Sequence, residues 1–278
     1  MRKQLLIILL LFGAGYMGIC AYLYTQQRAM LYFPQVTQVT AAQTDFNLMR
    51  DDVTLRGWIV NPGQAGAILY FGGNGEAIQQ NRSSFAQWFP THTVYLLAYR
   101  GYGASDGAPE QDLLFADALA LYDHVHAAYP DIPISVMGRS LGSGVASYVA
   151  SKRPVTRLAL VTPFDSMAEV AQARYPWLPV RALVKDRYES DHYLATFRSP
   201  VLIVRAGRDQ VIGWPRTQAL IDALPQPPQI LELPDAGHNS VQEFSAYAQA
   251  LEDFFRTSMR MGSGTGADNS SCPGTTAC

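Results

Sequence analysis

Ile134-Ser135-Val136-Met137-Gly138-Arg139-Ser140-Leu141-Gly142 is the stretch that decides the fold. The mostly apolar run at its start predicts a short strand. The small residues that follow, 142–150, predict a helix able to lie close against a sheet. Between the two, Ser140 sits two residues after one glycine and two before another, the spacing of a nucleophile elbow. A chain that turns from strand to helix in so little space leaves no room for side chains at those flanking positions. It also holds the serine at a strained apex.

The same spacing recurs in Gly103-Ala104-Ser105-Asp106-Gly107. That copy lies well past the apolar run 94–98, with Pro109 close behind it, so no helix can start at Ala104 and pass through unbroken. Ser105 therefore reads as a loop residue and Ser140 as the candidate nucleophile.

Working outward, strand-like and helix-like segments alternate. The runs 53–60, 67–71, 93–98, 134–137, 157–161, 201–204 and 229–233 read as strands. Residues 109–128 carry Leu113, Leu114, Ala118, Leu121 and Val125 at helical spacing. A last helix is expected from the cap Asn239-Ser240, with Val241, Phe244, Tyr247, Leu251 and Phe254 on one stripe. Short apolar strands alternating with helices predict an α/β fold whose mostly parallel sheet is covered on both faces. The interval 163–200 is long for a crossover and rich in aromatics, which predicts a small helical cap.

A serine needs a base to take its proton, and histidine is the usual one. Of the five histidines, His124 and His126 point to different helix faces, His92 precedes a strand and His192 lies in the cap. His238 follows the run 229–233, in a loop at a strand's carboxyl end, where open α/β sheets place chemistry. Asp209 follows the run 201–204 in the same way and is the expected acid, with Asp165 the runner-up. Asp235 is too close to His238 in sequence to be preferred. Ser140, Asp209 and His238 then run nucleophile, acid, base along the chain.

Acyl chemistry also needs donors for a developing oxyanion. The backbone N–H of Leu141 is one expectation. The loop Phe71-Gly72-Gly73-Asn74-Gly75 supplies the other, through Asn74 or, next, Gly73. That loop lacks the Gly-Lys-Ser/Thr of a phosphate cradle. Trp177 in the cap and Trp214 beyond the acid loop are candidate substrate contacts.

Bulk properties exclude other classes. Across 278 residues the net charge is −2, so no basic footprint for nucleic acid exists, and the three cysteines form no metal-ligand spacing. Residues 5–24 are free of charge after Arg2-Lys3, long enough for a membrane-spanning helix rather than a cleaved signal, which is the alternative. Two positive charges before the span against Arg28 after it favour a single-pass protein with its catalytic domain outside the cytoplasm. The expected organisation is an anchor at 1–30, a domain at 31–258 and a flexible tail at 259–278, rich in Gly, Ser and Thr.

The chain resembles the α/β-hydrolase superfamily over roughly residues 31–255. More narrowly, it resembles its membrane-anchored branch of acyl hydrolases. The likeness rests on Leu31-Tyr32-Phe33-Pro34, Tyr70-Phe71-Gly72-Gly73-Asn74-Gly75, Tyr99-Arg100-Gly101-Tyr102-Gly103-Ala104-Ser105, the elbow, Gly207-Arg208-Asp209 and Gly237-His238. It departs from the branch at Gly72, where such proteins carry histidine. The resemblance implies a sheet of about eight strands, no metal or organic cofactor, and hydrolysis of esters, thioesters, amides or lipids. A serine hydrolase acting on a small-molecule or lipid acyl substrate is the first expectation. A peptidase and a non-catalytic binding protein are the alternatives.

Overall fold

The apolar runs assemble into one sheet. A computed structural model describes residues 1–256; the Gly- and Ser-rich tail, with Cys272 and Cys278, lies outside the described residues. The strands are β1 (Phe46–Arg50), β2 (Val53–Val60), β3 (Gly66–Phe71), β4 (His92–Leu97), β5 (Ile134–Arg139), β6 (Leu158–Val161), β7 (Val201–Ala206) and β8 (Gln229–Leu233). Among the described residues they lie in the order β1-β2-β4-β3-β5-β6-β7-β8. Only β2 runs against its neighbours; the rest pair in parallel. Every residue of β3 and β4 is buried, as expected for strands covered on both faces.

The helices are α1 (Arg2–Leu31), α2 (Arg82–Trp88), α3 (Gln111–Ala128), α4 (Leu141–Lys152), α5 (Met167–Arg174), α6 (Val180–Leu183), α7 (Ser190–Leu194), α8 (Trp214–Ala223) and α9 (Ser245–Arg256). The small-residue pattern of α4 has the expected consequence: it buries almost every residue from Leu141 to Ala150 against the sheet. The expected last helix is corrected at its start. Phe244 N–H bonds Val241 O in a tight turn, and the α-helix opens only at Ser245. The reason lies in Ser240, whose Oγ accepts the Gly237 N–H and so serves the His238 loop instead of capping a helix.

The interval between β6 and β7 divides in two. Helix α7 belongs to the body, where Tyr193 packs edge-on against Tyr148 and Phe115. Helices α5 and α6 form the cap proper. Phe164 and Tyr188, at its two ends, are fully buried.

Parallel register aligns the carboxyl ends of the strands. Arg139 faces Val161, Val161 faces Val204, and Ala206 faces Leu233. Phe71 faces Gly138, so the glycine loop after β3 emerges beside the elbow after β5.

Candidate active site

Ser140 takes φ +49° and ψ −117°, the strained apex that the spacing predicts. Both glycines are sterically required. A Cβ on Gly138 would lie 2.2 Å from the Gly142 carbonyl oxygen, and one on Gly142 would lie 2.0 Å from that of Phe71. The loops after β7 and β8 bring the other two residues to this apex. His238 Nε2 is 2.9 Å from Ser140 Oγ. His238 Nδ1 is 2.7 Å from Asp209 Oδ2. Asp209 is fixed in turn, because its Oδ1 accepts the N–H groups of Val211 and Ile212, both at 2.8 Å. Ser140 and His238 are each 9% exposed, nearly closed off from water but reachable.

The competing candidates are engaged elsewhere. Asp165 pairs with Arg216 at 2.9 Å, and burial pushes its carboxyl above the usual range. Asp235 pairs with Arg208 at the surface. Ser105 is buried in its loop, donating to Ala98 O and accepting Arg56 N–H. His92 is buried beside Phe255, whereas His124 beside Phe46, His126 beside Tyr122 and His192 in the cap are exposed.

Among the described residues, the N–H groups of Leu141 and Asn74 have no hydrogen-bond partner. The Asn74 side chain donates to Leu31 O, and its carbonyl accepts Phe33 N–H and Tyr102 Oη–H. Those bonds fix the peptide while leaving its N–H available. The Gly73 N–H, by contrast, is spent on Glu76 Oε2 at 2.8 Å.

Glu76 is the residue that sequence reasoning missed. Its Oε1 also accepts Tyr70 Oη–H at 2.6 Å and Asn81 Nδ2–H at 2.7 Å. Arg139, beside Ser140, lies 3.7 Å from Glu76 and reaches Asn239 Oδ1 at 3.4 Å. One arginine thus ties the glycine loop, the elbow and the His238 loop together. Burial is the largest single influence on the Arg139 pKa and lowers it, but the charge and hydrogen bond of Glu76 together with Tyr70 and Tyr247 leave it raised. Gly72 now has a reason as well, since a Cβ there would lie 2.4 Å from Ile78 Cγ2. A lone acid inside a glycine loop was the available signal in the sequence.

Among the described residues, the two tryptophans contact none of Ser140, Asp209 and His238 and line no cavity with them. Trp177 is 57% exposed at the cap tip. Trp214 is 53% exposed, with the Arg205 guanidinium over its ring. A cavity of about 420 Å³ lies instead between α1 and the cap, walled by Cys20, Leu23, Val170, Tyr175, Leu178 and Val211 among others.

A family model for the alpha/beta hydrolase fold matches residues 59–192. The uncharacterized protein Rv2307c of Mycobacterium tuberculosis is 33% identical over 235 residues, covering 80% of this chain and 84% of its own. The chain is an α/β-hydrolase. An alpha/beta hydrolase domain-containing protein of Caenorhabditis elegans, aho-3, is 27% identical to this hydrolase over 192 residues, 67% of this chain and 56% of that one. Among solved structures, the Pyrococcus furiosus esterase Pf2001 superposes with a TM-score of 0.62 at 18% identity, over 77% of the hydrolase and 92% of that chain. Est1E of Butyrivibrio proteoclasticus, solved with ferulic acid, gives 0.62 at 15% identity, over 77% and 98%. At such identities the likeness is one of fold.

Proposed function

We propose that the protein is a membrane-tethered serine hydrolase that cleaves carboxylic esters or thioesters with apolar acyl groups. The observation that carries this reading is the unbroken relay from Ser140 Oγ through His238 to Asp209, at 2.9 and 2.7 Å. Ser140 attacks the acyl carbon while His238 Nε2 takes its proton. Asp209 holds the ring with Nδ1 protonated and stabilises the imidazolium that forms. The N–H groups of Leu141 and Asn74 receive the charge that develops on the acyl oxygen. His238 then protonates the leaving group, and a water activated by the same ring hydrolyses the acyl-enzyme.

The tether is helix α1. An 18-residue window of it has mean hydropathy 2.2 and is 6% buried, so its side chains from Leu5 to Phe12 have no protein to cover them. A bilayer supplies that cover. Anchoring at residues 5–24 with the domain outside the cytoplasm fits Arg2-Lys3 on the inner side. Trp177, beside that helix at the exposed cap tip, faces the lipid rather than lining the cleft.

A series of p-nitrophenyl esters from acetyl to dodecanoyl, run beside aminoacyl-naphthylamides, tests the reading. Activity should rise with chain length by about fourfold per buried methylene until the pocket fills. A peak at acetyl, or faster release of naphthylamine, would overturn the acyl assignment.

A further inference from the structure

Helix α1 does not end where an anchor would. It continues unbroken from Arg2 to Leu31 and hands over directly to the site, where Leu31 O holds the Asn74 side chain and Tyr32 bonds Tyr188. The cap clasps it from the side. Arg28 pairs with Asp186, Gln27 Oε1 accepts the Lys185 N–H, Lys185 Nζ lies over the Tyr24 ring, and Tyr16 Oη–H donates to Trp177 O.

That clasp has a consequence for depth. With residues 5–24 crossing the hydrocarbon, Tyr16 lies about 12 Å inside the boundary at Tyr24, at about 1.5 Å per helical residue. The cap touching Tyr16 is therefore sunk into the outer lipid layer. Its sequence suits that place. Tyr175-Pro176-Trp177-Leu178-Pro179-Val180 is free of charge, and Arg174 and Arg181 flank it.

The cavity between α1 and the cap spans this depth. At the lipid end its walls are Cys20, Leu23, Tyr175 and Leu178; at the other end they are Leu31 and Val211. Leu31 O accepts from the Asn74 side chain and Val211 N–H donates to Asp209, so that end lies one hydrogen bond from the loops that carry Asn74 and Asp209. At about 30 Å³ per group, the share of one water molecule in the liquid, the volume accepts on the order of a dozen chain atoms.

We propose that this cavity, walled by the anchor helix itself, receives a single hydrocarbon chain of a lipid-like acyl ester directly from the outer lipid layer. The proposal rests on the acyl-ester reading of Ser140 and adds to it the tail site, its route of entry and a catalytic use for the anchor. The anchor is then a wall of the substrate site as well as a tether.

The test uses the full chain in phosphatidylcholine nanodiscs. Cys20→Phe and Ala171→Phe fill the cavity from opposite walls, and neither residue belongs to the catalytic machinery. Each should leave p-nitrophenyl acetate kcat/KM within about twofold and lower that for p-nitrophenyl dodecanoate by about tenfold or more. Equal losses on both esters, or no loss on the dodecanoate, would overturn the proposal. Separately, phosphatidylcholine carrying a diazirine at its chain end is added and illuminated. Labels should fall on Val170 and Tyr175 and disappear in Ala171→Phe; labels confined to the lipid-facing turns of residues 5–12 would also overturn it. The cross-link reads occupancy even if Ser140 proves inert, so failure of the tail site and failure of the catalytic reading are distinguishable.

Discussion

Glu76→Gln is the sharpest test of how the glycine loop is held. The carboxylate accepts three hydrogen bonds, from Gly73, Tyr70 and Asn81, and faces Arg139, while its side chain is 11% exposed. A glutamine of the same shape has one oxygen. Turned toward Tyr70 and Asn81, it presents an NH₂ to the Gly73 N–H, donor against donor, so one charge-assisted bond is lost, about 1.5–3 kcal/mol. Arg139, 14% exposed, also loses its countercharge and keeps only Asn239. Together these cost about 3 kcal/mol. At about 2–4 °C per kcal/mol that lowers Tm by roughly 6–12 °C. Removing an oxyanion donor outright costs about 10²–10³ in kcat; here the Asn74 peptide is displaced rather than removed, so a loss of about 10–100-fold is expected with KM little changed. Circular dichroism melts and steady-state ester kinetics measure both. The double variant Glu76→Gln/Arg139→Met should recover at least about 1 kcal/mol relative to additivity. Native kcat in folded Glu76→Gln, or strictly additive losses, would refute the reasoning.

Three further outcomes are expected. Deleting residues 1–30 removes Arg28 from Asp186, whose side chain is 5% exposed, so that truncation should melt about 3–10 °C below one that deletes only 1–24; equal melting temperatures would show the pair contributes nothing. Burial, and secondarily the Arg157 charge, lowers the His92 pKa from 6.5. The unfolded chain therefore takes up this proton first as pH falls, stability declines below about pH 6.5, and His92→Gln should flatten that part of a Tm–pH profile. Asp209→Asn should lower kcat by about 10⁴, whereas Asp165→Asn, which touches Arg216 and not His238, should change it little; the reverse order in ester kinetics would unseat Asp209.

The strands that bury both faces, β3 and β4 among them, were legible in the sequence because continuous apolar runs have few other uses; β2 and β8, only partly buried, also fall at the bounds read from it. Strand β1 was not legible, since it lies at the sheet edge and buries only Phe46. Helix α8 was hidden by a start at Gly213-Trp214-Pro215, which reads as a turn. The meeting of Ser140, Asp209 and His238 could be anticipated because strand ends converge in a parallel sheet. For Glu76 the sequence offers only a lone acid in a glycine loop; that its carboxylate bonds a backbone N–H, a phenol and an amide is a fact of tertiary contact with no periodicity. The same holds for the cap and α1. Hydropathy shows a helix long and apolar enough to cross a membrane, but only the folded chain reveals that its second half, from Tyr16 onward, is gripped by protein.

Covalent labelling of the nucleophile is the most direct measurement. A fluorophosphonate probe is added to the full-length protein, to Ser140→Ala and to Ser105→Ala, and the adduct is mapped by mass spectrometry of peptides. The expected result is a single adduct on Ser140 in the native chain, persistence in Ser105→Ala, and complete loss in Ser140→Ala. An adduct on Ser105, or no adduct at Ser140 in folded native protein, would contradict the assignment of this chain as a serine hydrolase acting through Ser140.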